Sequence, residues 1–202
     1  MNSIDRLSEL FKSFPGIGPR QARRFVYHLL SRNGSYSEEL ISAIKDLKSE
    51  IMQCVSCERH FHSRERRETL CRVCSDSGRD HTSLMVVSRD VDLEAVEKSG
   101  SYQGDYFVLG GVIPLLDKEP EKRVRLSKLK ERVSKGLENG LQEIILAMNV
   151  TQDGEHTASF LREYLKDFNL NFSTLGRGLS TGAELEYADP ETLKNALNNR
   201  VK

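Results

Sequence analysis

The sequence predicts a chain of several modules that mixes α+β and α/β architecture: a helical hairpin, a four-cysteine module, a parallel α/β sheet and a C-terminal tail helix. Three observations support this fold class. Apolar residues recur at helical spacing as far as residue 53. All four cysteines of the 202 residues fall into two C-x-x-C pairs. Beyond them, short apolar runs alternate with helical stripes. The predicted modules are therefore residues 1–53, 54–76, 77–176 and 177–202.

The composition indicates a globular protein. The chain is 38% hydrophobic and 30% charged, and no apolar run approaches the length of a membrane-spanning helix. Residues 1–6 lack the apolar segment of a secretory signal, so we expect a cytoplasmic protein. The net charge is zero, but residues 1–74 carry 13 Lys+Arg against 9 Asp+Glu. This N-terminal basic excess favours an anionic partner there.

The two N-terminal helices are joined by a turn suited to binding phosphate. Ile4, Leu7 and Phe11 predict a first helix over residues 3–13, and Pro19 begins the second. The turn between them resembles the helix-hairpin-helix motif, which offers backbone N–H groups to a DNA phosphate. Such contacts carry no base information, so binding should be independent of sequence. The predicted DNA-binding residues are Gly16, Ile17, Gly18, Arg20, Arg23 and Arg24. The alternative is a helical hairpin with a solvated basic face.

Two apolar stripes complete the first module. The stripe of the second helix consists of Ala22, Phe25, Val26, Leu29 and Leu30. The other stripe predicts a third helix and consists of Leu40, Ile44, Leu47 and Ile51. Stripes with this spacing are typical of helices that pack one face against a neighbour.

The cysteine pairs Cys54–Cys57 and Cys71–Cys74 predict a metal site. Two C-x-x-C turns can direct four thiolates at one point and complete a tetrahedron around zinc. The insert between them is too polar to form a core, so a metal has to organise it; it contains Arg59, Arg64, Arg66 and Arg67. Because four sulfurs leave no position open for water, the predicted ion is one structural Zn²⁺ per chain. The alternatives are two disulfides or four unrelated buried thiols, and His60 or His62 could replace a cysteine.

The second half predicts a parallel sheet covered on both faces, because strands and helices alternate along it. The predicted strands cover residues 84–87, 106–111, 143–148 and 171–175. The predicted helices cover residues 92–97, 126–137 and 158–168, with a last one from Pro190. Ligands of such a sheet gather where its strands end. The candidate segments there are residues 88–90, 109–111 and 149–155.

The last of these segments resembles a Toprim domain, the fold shared by topoisomerases and primases. Catalytic members hold magnesium with a glutamate after one strand and an Asp-x-Asp pair after another. The matching positions here carry no carboxylate and are Ser88, Asn149 and Thr151. These side chains cannot supply the anionic oxygens that magnesium requires, so the resemblance implies a fold without catalysis. Three nearby acids, which also suit helix N-termini, leave a metal-dependent nuclease or primase-like enzyme as the alternative: Asp90, Asp153 and Glu155.

Taken in order, the hairpin, the four cysteines, the Toprim-like sheet and the R-G-L…L-E-Y-A-D tail resemble the RecR family of bacterial recombination mediators over essentially the whole chain. Residues 106–111 and 185–189 also match that family's motifs, whereas Ser88 departs from its usual glutamate. The resemblance implies a non-catalytic DNA repair protein that binds single- and double-stranded DNA. It further implies a homodimer or ring-like homotetramer that acts with RecO and RecF to help load RecA. The remaining alternative is a zinc-containing interaction protein without a DNA role.

Overall fold

A computed structural model describes residues 1–63 and 68–200. Three of the insert's arginines, Arg64, Arg66 and Arg67, lie outside the described residues, as do residues 201 and 202. The chain forms two compact units, residues 1–51 and 52–202. The finer division at residues 76 and 176 stays a prediction.

Within residues 1–51, all of which are described, the first unit consists of α1 (Ser3–Lys12), α2 (Pro19–Leu30) and α3 (Gly34–Glu50). Asparagine side chains cap two of these helices. Asn2 Oδ1 accepts a hydrogen bond from the backbone N–H of Asp5 at 2.9 Å, and Asn33 caps α3 in the same way. Ala22 and Val26 of α2 are buried. The ring of Phe11 in α1 lies edge-on to that of Phe25, with centroids 5.6 Å apart, so the two helices pack together as their spacing predicts.

The apolar stripes of α2 and α3 are much more exposed than their spacing alone suggests. Leu30 is 64% exposed, Ile44 is 54% exposed and Leu47 is 61% exposed. Ile51 does not extend α3 but begins the first strand. An apolar groove with a volume of 550 Å³ runs between the three helices of this unit. Helical spacing identifies the residues that share a face, but it does not say what covers that face.

The second unit is built on a parallel sheet. Within residues 68–200 its strands are β3 (Asp80–Val87), β4 (Gly104–Val108), β5 (Glu143–Ala147) and β6 (Asn171–Thr174), in the order β4-β3-β5-β6. Its helices are α4 (Asp90–Ser99), α5 (Pro120–Arg123), α6 (Leu126–Glu138), α7 (Gln152–Tyr164) and α8 (Pro190–Asn198). Val87 aligns with Val108 on one side and Ala147 on the other, so the strands end at one edge of the sheet. Two short strands, β1 (Ile51–Gln53) and β2 (His60–His62), form a separate sheet in the cysteine region.

Both faces of the parallel sheet are covered, as predicted, but not by helices alone. Successive strand residues point to opposite faces. One face packs against α6 and α7 in a core that includes Leu84, Val86, Phe107, Ile144, Leu146, Leu129 and Leu161. On the other face, Met85, Val87 and Val108 pack with Leu93 of α4 and with three of the cysteines, Cys54, Cys57 and Cys71. The cysteine module therefore takes the place that a further helix has in most sheets of this kind.

The outer edge of β4 is occupied by groups from elsewhere in the chain. The backbone N–H of Val108 donates to the carbonyl of Cys57 at 2.8 Å. The carbonyl of Val108 accepts from Arg125 Nη1 at 2.8 Å, and that of Gly104 accepts from Arg79 Nη1 at 2.8 Å. Arg79 is itself held by Glu97 of α4, with 2.6 Å between Nη2 and Oε2. These contacts satisfy backbone groups that a neighbouring strand otherwise pairs.

The element boundaries differ from the predicted ones by a few residues. β4 ends at Val108 rather than 111, because Gly110 has a φ of +95° that breaks the extended chain. α4 is longer than predicted and ends at Ser99, because the following Gly100 has a φ of +66° that closes the helix. Phe168 lies in a short 3₁₀ turn after α7. Among the described residues, no helix combines the length and the apolar character needed to cross a membrane.

Candidate nucleic-acid interface and metal centre

The turn between α1 and α2 uses one of its two glycines for a left-handed backbone. Gly16 has a φ of +77°, whereas Gly18 is extended at −83° and serves as the N-cap of α2. The backbone N–H of Ile17 donates to the carbonyl of Phe14 at 3.1 Å and closes the turn. A Cβ placed on either glycine would have no other heavy atom within 4 Å, so neighbouring protein atoms do not exclude a side chain at these two positions. The open space lies where a ligand can approach the backbone.

The start of α2 is free to face an anion. Pro19 occupies its first turn, and Gly18 provides no side-chain cap. The first N–H groups of a helix have no partner within it, so those of Arg20 and Gln21 are available beside the positive end of the helix dipole. Backbone donors and a helix start together make a general phosphate site.

The three predicted arginines of α2 are all exposed. Arg20 and Arg23 line a shallow 570 Å³ cavity on one side of the helices, together with Lys12 of α1. Two acids line the same cavity, and one of them, Asp5, lies 3.5 Å from Arg23 Nη2. Both partners are well exposed, so water and salt screen this pair strongly. Asp5 nevertheless offsets part of the positive charge that Arg23 can offer to a ligand, and the sequence spacing gave no sign of this pairing.

The four cysteines come together as a cluster. The four Sγ atoms all lie within 4.8 Å of one another, and all four cysteines are free rather than disulfide-bonded. The sulfurs of Cys57 and Cys71 are 3.6 Å apart. Zinc–sulfur bonds of 2.3 Å place tetrahedral sulfurs about 3.8 Å apart, so the cluster has the right size for such an ion. Among the described residues it is also the only group of three or more metal-ligating side chains. The disulfide alternative is wrong.

Backbone hydrogen bonds shape both C-x-x-C turns. The N–H of Glu58 donates to the carbonyl of Cys54 at 2.9 Å, and the N–H of Ser75 donates to that of Cys71 at 3.0 Å. The N–H of Cys71 also points at the Cys54 sulfur, at 3.4 Å. Hydrogen bonding with Cys57 lowers the pKa of Cys54, and the same contact raises the pKa of Cys57. Adjacent thiols cannot all ionise without a cation, and a divalent ion removes that conflict.

The two histidines of the insert do not join the cysteine cluster. His60 lies on β2 and directs its Nδ1 towards Asp90, 3.3 Å from Oδ2. The backbone N–H of His60 donates to the other oxygen of Asp90 at 2.6 Å. Asp90 therefore links the start of α4 to the cysteine module. The four sulfurs already make up a complete set of metal ligands, so neither His60 nor His62 has to replace a cysteine.

Glu58 is a buried residue that the sequence analysis missed. It directly follows the first C-x-x-C turn, has a left-handed φ of +61° and is only 6% exposed. Its carboxylate lies 3.4 Å from Lys128 and 4.0 Å from Arg125, both near the start of α6. Its carbonyl accepts a hydrogen bond from Arg125 Nη1 at 3.2 Å. Glu58 thus joins the cysteine module to α6, which packs on the parallel sheet. Its position directly after the C-x-x-C turn is the only feature of the sequence that could have pointed to this role.

The three positions that the sequence analysis compares with Toprim carboxylates have structural roles. Ser88 follows β3, is 1% exposed and donates its hydroxyl to Met148 Sδ at 3.4 Å. Thr151 is the N-cap of α7, and its hydroxyl accepts from the Gly154 N–H at 3.1 Å. The carbonyl of Asn149 packs so closely on Gly154 that a Cβ there collides with it. Helix capping and close packing thus account for these three residues where β3 and β5 end.

The remaining acids near this edge are separately engaged. Asp153 accepts from the backbone N–H of Leu115 at 3.2 Å, and Glu155 pairs with Arg177 at 2.7 Å. Both lie in the first turn of α7, as their placement at a helix start predicts. The pair with Arg177 also ties the beginning of the tail to the sheet domain, and Asn199 near the end of the tail donates to the Arg177 carbonyl at 2.8 Å.

Known protein families and individual relatives match this chain over nearly its whole length. Residues 4–48 match the family described as RecR, helix-hairpin-helix, residues 82–175 match the Toprim domain, and residues 178–201 match RecR, C-terminal. The recombination protein RecR of Legionella pneumophila (strain Philadelphia 1) is 36% identical over 201 residues, which cover 100% of this chain and 97% of the relative. RecR of Chlorobium luteolum is 36% identical over 199 residues, covering 98% and 96%. RecR of Syntrophobacter fumaroxidans is 39% identical over 197 residues, covering 98% and 92%.

Proposed function

The chain belongs to the RecR family of bacterial recombination proteins, and we propose that it is a mediator of DNA recombination and repair that binds DNA without base specificity and without catalysis. The observation that carries this proposal is the hairpin of the first unit. There the left-handed Gly16, the uncapped start of α2 and the exposed arginines coincide. Amide donors and guanidinium groups of this kind bind backbone phosphates, which every DNA sequence presents alike.

The test of DNA binding is the combined replacement of Arg20, Arg23 and Arg24 by alanine. We expect weaker binding to every DNA sequence, because each lost phosphate contact removes counterion release. The slope of log K against log salt should fall by up to about 2.7 on duplex or about 2.1 on single strands. A matched control replaces three exposed lysines of the second unit, Lys118, Lys122 and Lys194, which changes the net charge equally. Equal effects of the two triple variants would show that total charge, and not the hairpin, governs binding.

We further propose that the cysteine cluster holds one structural Zn²⁺ per chain. Four sulfur ligands favour zinc over magnesium or calcium, and a closed thiolate site leaves no position for a substrate. Protein purified without added metal should contain about one zinc per chain, because structural zinc in small modules contributes on the order of 10 kcal/mol. Cys57→Ser should lose the metal, whereas Ser75→Ala, on the exposed surface of the second turn, should keep it. Metal-free wild-type protein with a folded cysteine module would contradict this proposal.

The alternative function is a metal-dependent nuclease or primase-like enzyme. Ser88, Asn149 and Thr151 argue against it, because none offers a carboxylate and each has a packing or capping role. We therefore expect neither cleavage nor primer synthesis with magnesium or manganese. An activity that co-purifies with the protein and disappears in Asp153→Asn or Glu155→Gln would favour the enzyme instead.

We also propose that the protein assembles as a homodimer or a homotetrameric ring, in the cytoplasm, and that it acts with RecO and RecF. Support for assembly comes from the apolar groove of the first unit and from α3, in which no residue is buried. A second copy of the chain is the occupant that suits this surface, since exposed apolar patches of this kind mark interfaces. Assembly also joins several weak phosphate sites and can raise affinity by roughly 10²–10⁴.

Sedimentation of the pure protein over a range of concentrations tests the assembly. We expect reversible association, with DNA affinity rising over the same concentration range. Ile44→Glu places a charge in the groove and should shift the protein towards monomer, whereas Glu39→Gln on the exposed surface of α3 should not. A strictly monomeric protein that binds DNA as tightly as the concentrated sample would exclude the ring.

A further inference from the structure

The four cysteines of the cluster are not equally accessible. Cys54 and Cys57 are 0% exposed and Cys71 is 1% exposed, whereas Cys74 remains partly exposed. The three covered cysteines pack against the parallel sheet in the core beside α4. Cys74 ends the second C-x-x-C turn and lies at the outer side of this core. The cluster therefore has one sulfur-bearing residue that molecules from solution can reach.

A cavity leads to this residue. It has a volume of 390 Å³ and lies between the cysteine module, the starts of β3 and β4, and one side of α6. Cys74 lines it together with residues that include His81, Lys135 and Gly136. The cavity is wide enough for a small reagent, since a single water molecule occupies only about 30 Å³ of liquid.

Access, rather than charge, distinguishes Cys74. The cavity is lined by three acidic and three basic side chains: Glu58, Asp105, Glu131, Lys128, Arg132 and Lys135. Two of the basic groups are already paired, Lys128 with Glu58 and Arg132 with Asp105. The lining therefore gives little preference for an anionic over a neutral reagent. A small neutral oxidant enters it without an electrostatic barrier.

The neighbouring sulfurs are placed for a second reaction. Each lies within 4.8 Å of Cys74, so a modified Cys74 has a thiolate beside it. Thiolates attack oxidised sulfur at such positions once a small movement brings the two atoms to bonding distance. A first reaction at Cys74 can thus spread into the otherwise covered cluster.

We propose that Cys74 is the site at which hydrogen peroxide first modifies the metal centre, and that a disulfide with a neighbouring cysteine then releases the metal. This inference rests on the zinc proposed above. In the first step the Cys74 sulfur gives two electrons to the peroxide, an S–O bond forms, the O–O bond breaks and the leaving hydroxide takes a proton to become water. In the second step a neighbouring thiolate forms an S–S bond with Cys74, and the sulfenic oxygen leaves as hydroxide. Two ligands are lost, and a thiol reductant restores them.

The experiment starts from protein whose zinc content has been measured, so that failure of the zinc proposal is recognised before oxidation begins. Substoichiometric hydrogen peroxide is added, zinc release is followed with a coloured chelator, and the free thiols are then alkylated and located by mass spectrometry. We expect Cys74 to be oxidised in the earliest samples, at least about tenfold more than any other cysteine, with one zinc released per disulfide. Treatment with a thiol reductant should restore zinc binding.

Two matched variants separate access from general instability. Cys74→His and Cys57→His both retain a ligand set that zinc accepts in other proteins. Cys74→His should release zinc to peroxide at least about tenfold more slowly than Cys57→His, because only the former removes the thiol of the partly exposed residue. Should either variant fail to hold zinc, the mapping of the wild-type protein decides alone. First oxidation at Cys54, Cys57 or Cys71, or equal oxidation of all four cysteines, would overturn the proposal.

Discussion

Replacing Arg125 by methionine should destabilise the second unit substantially, although Arg125 is neither a metal ligand nor a DNA-binding residue. Its guanidinium group joins three parts of the structure. Nη1 donates to the carbonyls of Val108 and Glu58, at 2.8 and 3.2 Å, and Nε lies 4.0 Å from the Glu58 carboxylate. Methionine keeps much of the apolar stem but removes every donor.

Two contributions set the expected decrease in the free energy of unfolding. Val108 is 0% exposed, so its carbonyl loses a partner that water cannot easily replace, which costs about 1–3 kcal/mol. The Glu58 side chain is 7% exposed and loses one of two nearby cations. Removing a sole partner from a buried ion pair costs about 3–5 kcal/mol, but Lys128 remains, so we assign about 1–2 kcal/mol. Together the free energy of unfolding should fall by about 2–5 kcal/mol.

Guanidinium unfolding of zinc-replete protein, followed by far-ultraviolet circular dichroism, measures this change. Lys122→Met is the matched control: it removes a cation from an exposed pair with Glu119, which is worth about 1 kcal/mol or less. If Arg125→Met unfolds within about 0.5 kcal/mol of the wild type, the link through Glu58 and Val108 contributes little and the reasoning is refuted.

Three further predictions concern other parts of the chain. Asp5→Asn should strengthen DNA binding about two- to fivefold, because it frees Arg23, and unchanged affinity at low salt would contradict this. Gly154→Ala should destabilise the second unit by about 1–3 kcal/mol in thermal or denaturant unfolding, since a Cβ collides with a backbone carbonyl; a neutral effect would count against the close packing. Hydrogen bonds from Thr192 lower the pKa of Asp189, so the cap of α8 should persist above the ordinary Asp pKa and be lost as the pH falls through the lowered value. Amide NMR signals of α8 should report that loss, and Asp189→Asn should abolish the pH dependence.

Local patterns in the sequence sufficed for much of the fold and of the candidate site. Pro19 marks the start of α2 because its fixed φ suits a first helical position. The C-x-x-C spacing implies the cysteine cluster because each turn places two sulfurs on the same side. The runs around Val87 and Ile144 predict buried strands because only strands covered on both faces remain apolar throughout.

The structural features that could not be predicted from the sequence depend on contacts between segments that are distant along the chain. The burial of Glu58 beside Lys128 of α6 joins segments that are distant in the sequence, so no local pattern encodes it. The same holds for the placement of the cysteine module on one face of the sheet. The stripe that contains Ile44 and Leu47 predicts a helix correctly, but the surface that covers it is not determined by periodicity. Glycine spacing alone also could not separate Gly16, which adopts a positive φ, from Gly18, which does not.

The covered edge of β4 has a consequence for the behaviour of the protein once its cysteine module is disturbed. A strand edge with free N–H and C=O groups is a template on which another chain can add a strand, and proteins protect such edges to avoid aggregation. Here the protection comes from Cys57, Arg79 and Arg125. Cys57 belongs to the very turn that a metal would organise, so detachment of that turn exposes the N–H of Val108. We therefore expect the solubility of the protein, more than its secondary structure, to depend on the state of its cysteines.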